Sequence, residues 1–379
     1  MKNVLYVSYD SISEPISQSQ IIPLLIKYSE NYKVYLVSFE KNKKILLNNV
    51  IKKNITHIIL KFQKNFFLKA AYFFFYQILL IFIVFKYKIN IVHTRSYIPT
   101  LLILLSRFFK RLNIIFDIRG FWFDEKYEAK KINLIIYKIL KIVEIILFKT
   151  ANKVITLSKI SKKIINTNFN IKDCKINIIP TFTNFKKFKH NKKKTPSNKI
   201  IFGYVGNVGM NYEFEKVINF FEKFNKINSE WKLIVANNEI TEIPLINSLL
   251  FKNKIKLKKI NFTDMNNFYS KIDVGIYFLK KVFSKKSSCP TKLGELIATN
   301  TPFITNSGIG DINKIFLNLK VNEFLIDKIN ESKLAKINKK ILRIKNRNLI
   351  YNSRSELKNF FCQNINLNKY LSISESFKN

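Results

Sequence analysis

Glycine and proline are scarce, with eight of each in 379 residues. The scarcity matters most in the polar stretch Asp10 to Ser19, which follows the first apolar run and holds no glycine. A dinucleotide fold brings its backbone against a pyrophosphate there with a Gly-x-Gly-x-x-Gly turn, so a Rossmann dehydrogenase fingerprint is absent. No Gly-x-x-x-x-Gly-Lys-[Ser/Thr] loop exists, which argues against a P-loop NTPase. No Gly-x-Ser-x-Gly elbow exists, which argues against a serine hydrolase. There is no Asp-x-Asp pair either, so a metal–diphosphate clamp is not expected and no residue is assigned to a metal. Cys174, Cys289 and Cys362 are scattered, without the paired spacing of a metal site or a disulfide framework, and this fits a reducing cytoplasm. Histidine occurs at positions 57, 93 and 190 only.

Acidic residues are also few. Asp and Glu number 25 against 66 Lys and Arg, a net charge of +41. Two readings stay open. Abundant Lys, Asn, Ile and Phe share A/T-rich codons, so the excess could be compositional. The favoured reading is affinity for an anionic surface. Nucleic acid is not the expected partner, because no aromatic-interleaved basic motif of the RNA-recognition type is present. Hydrophobic residues make up 47% of the chain, which suits a globular or membrane-associated protein. The length allows two domains. The opening Met1-Lys-Asn-Val-Leu-Tyr-Val runs straight into a strand pattern, so no secretory signal is expected.

Taken in order, strands are expected at Val4–Ser8, Val34–Phe39, 55–62, Ile89–His93, Asn113–Asp117 and 153–157. Helices fall between them at 21–28, 101–109, 132–148 and 158–165, and 41–54 is helix or solvated connection. Ala70 to Phe85 is the most apolar segment, flanked by Lys69 and Lys86. It is shorter than the ~20 residues of a spanning helix. A buried helix, an in-plane membrane helix and a true span all remain open, and its aromatic content favours a membrane interface. Ile176–Pro180 ends the first half, and the Lys-rich run 186–199 has the composition of a linker. The pattern restarts with strands at 200–205, 231–236, 255–259 and 274–278 and helices at 213–224 and 265–271. Alternating strands and helices in both halves predict an α/β protein with two doubly wound parallel-sheet domains. The expected bounds are 1–185 and 198–335, with a helical tail over 336–379.

One stretch carries the chemistry, Cys289 to Thr305. Pro290 and Thr291 enter a helix, with Thr291 able to cap it. Leu293, Leu296 and Ile297 recur at helical spacing, and Thr299-Asn-Thr followed by Pro302 stops the helix. A helix start beside parallel strands is an anion site, because free N–H groups and the helix dipole face one point. Lys292 adds a cation, and Glu295 one turn later can accept from a diol. That suits a nucleoside diphosphate. A plain amphipathic helix with a solvated Lys and Glu is the alternative. Gly206, Asn207 and Gly209 follow a strand and would let backbone approach a phosphate. His93, Arg95, Asp117 and Arg119 sit at carboxyl ends of first-domain strands, with Asp124 and Glu125 just beyond. They could hold an acceptor hydroxyl or a diphosphate, although His93 could also be a core histidine.

The Cys289–Thr305 stretch resembles the donor-binding motif of glycosyltransferase family 4, of the GT-B fold. The segments Tyr6–Asp10 with Gln18-Ser-Gln20, Val92–Pro99, Phe116–Trp122 and Tyr204–Gly209 resemble that family in the same order. The resemblance covers roughly residues 1 to 315. It implies two Rossmann-like domains with a cleft between them and a tail that crosses back to brace the first. It implies a retaining, metal-independent transferase that moves a sugar from a nucleotide-diphosphate sugar to a lipid-linked or polysaccharide acceptor. No cofactor is implied beyond that co-substrate. His93, Arg95, Asp117 and Arg119 would be catalytic. Gly206, Asn207, Gly209, Ser287, Thr291, Lys292, Leu293 and Glu295 would bind donor, with Glu295 on the ribose. Ser17 and Gln18 would lie in the acceptor-side loop, where the family has glycine. Three further departures stand out: Ser287 replaces a glutamate, and Asn207 and Tyr212 stand near an expected Arg and Lys. An inactive nucleotide-binding relative is the alternative within the fold. A cytoplasmic protein resting on the inner face of the membrane is expected.

Overall fold

The computed structural model describes residues 2–40, 54–62, 66–189, 198–209, 212–237, 253–347 and 354–377. The expected connection over 41–54 and the middle of the Lys-rich run, with His190, lie outside these but for Asn54. The chain forms two compact units, one of residues 1–180 with 364–379 and one of residues 181–363.

The first unit is built on seven strands: β1 (Lys2–Ser8), β2 (Tyr32–Glu40), β3 (Ile55–Lys61), β4 (Ile91–Arg95), β5 (Asn113–Asp117), β6 (Lys153–Thr156) and β7 (Ile176–Ile178). All pair in parallel, in the order β3-β2-β1-β4-β5-β6-β7. A parallel sheet covered on both faces needs apolar residues on both sides of each strand. Val4, Leu5, Tyr6 and Val7 of β1 accordingly have no exposed surface. The order reverses between β1 and β4, the switch point where such sheets leave a crevice at their carboxyl ends.

Several helices differ from expectation at their ends. The polar stretch after β1 holds a short helix, Pro15–Gln20, with proline in its first turn, where the missing N–H costs nothing. The apolar segment is a 21-residue helix, Phe66–Lys86, starting four residues before Ala70. Among the described residues no helix is long and apolar enough to cross a membrane. Tyr76, Leu80, Ile83 and Val84 are buried, whereas Phe74, Phe75, Ile78, Phe82 and Phe85 face outward. The helix is thus apolar on its outer side as well as on its core side. Helices Tyr97–Phe109 and Leu134–Thr150 complete this side. Ser158 caps Lys159–Phe169 through a capping box with Ser161.

The second unit has five parallel strands, β8 (Ile200–Val205), β9 (Trp231–Ala236), β10 (Ile255–Lys258), β11 (Val274–Ile276) and β12 (Phe303–Ile304), in the order β10-β9-β8-β11-β12. Its switch point lies between β8 and β11. Helix Phe214–Phe224 packs a row of phenylalanines on β8, with Phe221 stacked on Trp231 at 4.4 Å. The tail divides. Residues 361–363 pair with Thr183, whose N–H donates to Phe361 O at 2.8 Å and whose O accepts from Gln363 N at 3.0 Å. Only the residues from Asn364 onward, most of helix Gln363–Glu375, cluster with the first unit.

Candidate functional site

At the carboxyl end of β8, Gly206 turns the chain with φ +125°, a conformation L side chains rarely adopt. A Cβ there would stand 2.8 Å from Lys292 Nζ. Gly206 is spent on the turn: its N–H donates to Ala236 O at 3.3 Å, and its carbonyl accepts from Asn237 Nδ2 at 2.9 Å. Asn207 O accepts from Tyr204 Oη at 2.6 Å. Gly209, with φ +106°, would carry a Cβ into open space. Any phosphate-facing amides of this turn therefore come after Gly206.

Lys292 reaches the same point from the helix Thr291–Ala298. Its ammonium donates to Val205 O and lies 4.1, 4.8 and 5.6 Å from the ring centres of Tyr212, Tyr277 and Tyr204. A cation over aromatic faces is held by the ring quadrupoles without being neutralised. The helix begins at Pro290 with no side-chain cap. Thr291 is its first residue and does not cap it, because the capping position is already filled by proline. The positive helix end is left for an anion. Leu293 is core. Thr299 stops the helix by donating to Glu295 O at 3.0 Å, and Asn300 takes φ +54°.

Glu295 is buried and accepts from Tyr269 Oη through Oε2 at 2.7 Å. Burial raises its pKa above the usual carboxyl value, against the opposing hydrogen bond from Tyr269 and the charges of Lys292 and Lys187. Ser287 has no exposed surface, and its hydroxyl donates to Ser284 O at 2.8 Å.

In the first unit, His93, Arg95, Asp117 and Arg119 converge. β4 and β5 put His93 beside Ile115 and Arg95 beside Asp117. Asp117 Oδ2 lies 3.7 Å from His93 Nε2 and 3.5 Å from Arg119 Nη1. Burial opposes ionisation of Asp117, yet Arg119, His93 and Arg95 outweigh it and hold its pKa at about 2. His93 is pushed the other way by burial, below its usual value despite Asp117. The pair is therefore a carboxylate beside a neutral imidazole at neutral pH. The helix Gln363–Glu375 covers them. Tyr370 Oη donates to Asp117 Oδ2 at 3.1 Å, accepts from Arg119 at 3.2 Å, and stacks its ring on His93. Ser374 donates to Tyr28 Oη at 3.0 Å, which is itself 3.0 Å from His93 Nδ1. His93 and Asp117 have no exposed surface.

One carboxylate at this switch point does reach solvent. Asp10, just past β1, is 40% exposed and accepts from the buried Arg95 Nε at 3.0 Å. Arg119 and Ser96 end β5 and β4 with φ +53° and +75°, strain of the kind found at functional sites. The glycine-free loop is tied down by Glu40, which accepts from Ser11 Oγ, from Ile12 N at 2.9 Å and from Ser38 Oγ at 2.6 Å. Gln18 Nε2 donates to Ile12 O at 2.8 Å, and Ser17 is fully buried. Asp124 is held by Tyr137 Oη at 2.8 Å and Lys141 Nζ at 3.0 Å. Asp10 closes the segment Tyr6–Asp10, and nothing in the sequence sets it apart from the other loop carboxylates. Tyr370 lies 253 residues from Asp117, and nothing in its polar helix signals the contact.

Two parallel-sheet units, each with charged groups at its switch point, define a GT-B-type protein. The model of the family described as Glycosyltransferase Family 4 matches residues 29–187, and the chain as a whole has the GT-B fold. A glycosyltransferase from Rickettsia africae ESF-5 has the same fold, at 20% identity over 99% of this chain and 98% of that one, with a TM-score of 0.71. Sucrose-phosphate synthase from Thermosynechococcus elongatus matches at 14% identity over 100% and 99%, TM-score 0.74. Anabaena Alr3699/HepE, solved in complex with UDP-glucose, matches at 11% identity over 99% and 100%, TM-score 0.72. No curated protein matches the chain in sequence.

Proposed function

We propose that the protein transfers a hexose from a nucleotide-diphosphate sugar to a hydroxyl of a lipid-linked or polysaccharide acceptor, with retention of configuration and without a metal. The observation that carries this reading is Lys292, whose ammonium sits beside the β8 turn at an uncapped helix start. When the bond from the anomeric carbon to the phosphate oxygen breaks, negative charge grows on the leaving diphosphate. Lys292, the helix dipole and the amides after Gly206 would take up that charge, in place of the metal clamp for which no Asp-x-Asp exists. The second oxygen of Glu295 would accept from the ribose diol. Asp10, fixed by Arg95, would meet the acceptor hydroxyl, while His93, Asp117 and Arg119 hold the strand ends under Tyr370. That Anabaena Alr3699/HepE is solved with UDP-glucose supports a nucleotide-sugar donor.

The outward apolar helices of the first unit, together with the net charge of +41 on the whole chain, support a place at the anionic inner face of a membrane in cell-surface glycan synthesis. The test is a transfer assay in chelator over a panel of nucleotide sugars and membrane-extracted acceptors, with the product anomer read by NMR. An anomer matching the donor supports the reading. Inversion, or turnover that returns only with magnesium, contradicts it.

A further inference from the structure

The far end of the first unit carries a basic pocket that the transfer chemistry does not use. Arg107, Lys149, Lys153, Lys172 and Lys175 line a cavity of about 490 Å³, together with Thr150, Asn152 and Asn170. No acidic residue lines it. Some of these cations have local work. Arg107 donates to Thr150 O, Lys175 to Lys149 O at 2.8 Å, and Lys153 to Cys174 O at 3.4 Å. The first two complement the end of helix Leu134–Thr150, and Arg107 ends Tyr97–Phe109. Two helix ends amount to roughly one negative charge together, so five cations leave an excess of about four. Lys175 is already pushed below its usual pKa by burial and by Arg107. The cations crowd one another, and an anion would relieve them.

The pocket opens at the edge of an apolar surface. Phe108 is 85% exposed, and Phe109, Leu105, Ile139, Ile142 and Ile146 are also exposed on the same two helices. Neighbouring helix Phe66–Lys86 extends this surface with Phe74, Phe75, Ile78 and Phe82. Apolar side chains beside a cationic pocket match acyl chains beside a phosphate. The 13-residue helix Tyr97–Phe109 runs from the carboxyl end of β4 to the pocket, a length of roughly 20 Å. A phosphate held there is too far from Asp10 and Arg95 to belong to a reacting acceptor.

We infer that this pocket binds the phosphate headgroup of an anionic membrane phospholipid, which anchors the first unit with its three apolar helices on the bilayer. The inference rests on the membrane placement proposed above and names the group that fixes it. Vesicles of phosphatidylcholine with and without 30% phosphatidylglycerol test it by co-sedimentation, on the full chain. K149E/K172E alters the two pocket lysines without a backbone partner named above. K336E/K339E, on the exposed side of helix Glu331–Arg347 in the second unit, changes net charge equally. Wild type should bind the anionic vesicles only. K149E/K172E should weaken that binding at least tenfold, K336E/K339E less than threefold, and F108S/F109S at least tenfold. Thermal melts check that each variant folds. If both charge variants lose binding equally, the pocket is overturned and only general charge attraction stands. If wild type ignores anionic vesicles at low salt, the membrane placement falls with it. Competition by millimolar inorganic phosphate would mark the site as one for free anions and also overturn the inference.

Discussion

The two switch points of this molecule are built from similar parts and put them to different use. In the first unit, Asp117 is met by His93, Arg119 and Tyr370, and nothing of it reaches water. In the second, Lys292 is held by a carbonyl and three tyrosine rings, which leave its charge in force. A buried charge surrounded by opposite charge is a structural element whose loss is costly. A cation held by ring faces beside an uncapped helix end keeps its charge available to an anion. Charge balance distinguishes the two ends, since both lie at carboxyl ends of parallel strands.

Breaking each centre should therefore give opposite phenotypes. Asp117→Ala should cost about 3–5 kcal/mol of stability in urea unfolding, because it removes the buried carboxylate that Arg119, His93 and Tyr370 face. A loss under 1 kcal/mol would mean that the cluster is not structural. Lys292→Ala should leave unfolding nearly unchanged and weaken nucleoside-diphosphate binding by about 10- to 150-fold, the worth of one charge-assisted contact of about 1.5–3 kcal/mol. Glu295→Ala should weaken the same ligand by a similar or smaller factor, and a 2′,3′-dideoxyribose analogue should bind both forms alike if its partner is the diol.

The pH dependence sharpens the contrast. Asp117 has its pKa depressed from 3.8 to about 2 in the folded state. Its ionisation thus contributes about 2 kcal/mol above pH 3.8, lost as pH falls through about 2. Glu295 has a raised pKa, so the folded protein holds that proton more tightly than the unfolded chain. Its contribution has the opposite sign and makes the fold less stable as pH rises through the raised value. Melting curves from pH 2 to 6 should show the acid loss in wild type and lose that component in Asp117→Asn. The smallest effect is Tyr370→Phe, which removes one hydroxyl between Asp117 and Arg119 and should cost about 1 kcal/mol.

Much of this was legible in the chain itself. The strands Asn113–Asp117, Ile200–Val205 and Trp231–Ala236 fall where their apolar runs place them, because a strand buried on both faces leaves little room for polar residues. The helix that carries Lys292 and Glu295 was legible because a helix start after a loop has its own grammar of Pro, polar stop and apolar spacing. What was not legible depends on contacts far apart in sequence. Tyr204, Tyr212 and Tyr277 come from three separate segments to surround one ammonium, and each reads alone as strand or turn. His93 alone reads more readily as core than as site, and Tyr28, Tyr370 and Ser374 close over it. The short helix Pro15–Gln20 hid in a polar run whose only signal was a proline at its start.

If Lys292 and its helix bind the diphosphate of a sugar donor, the contact must show in affinity. Isothermal titration of the full chain with a panel of nucleoside diphosphates, in chelator, measures this directly for wild type and Lys292→Ala. One nucleoside diphosphate should bind wild type without metal, and bind Lys292→Ala at least tenfold more weakly. Equal affinity in the two proteins, or binding that requires magnesium, would contradict it.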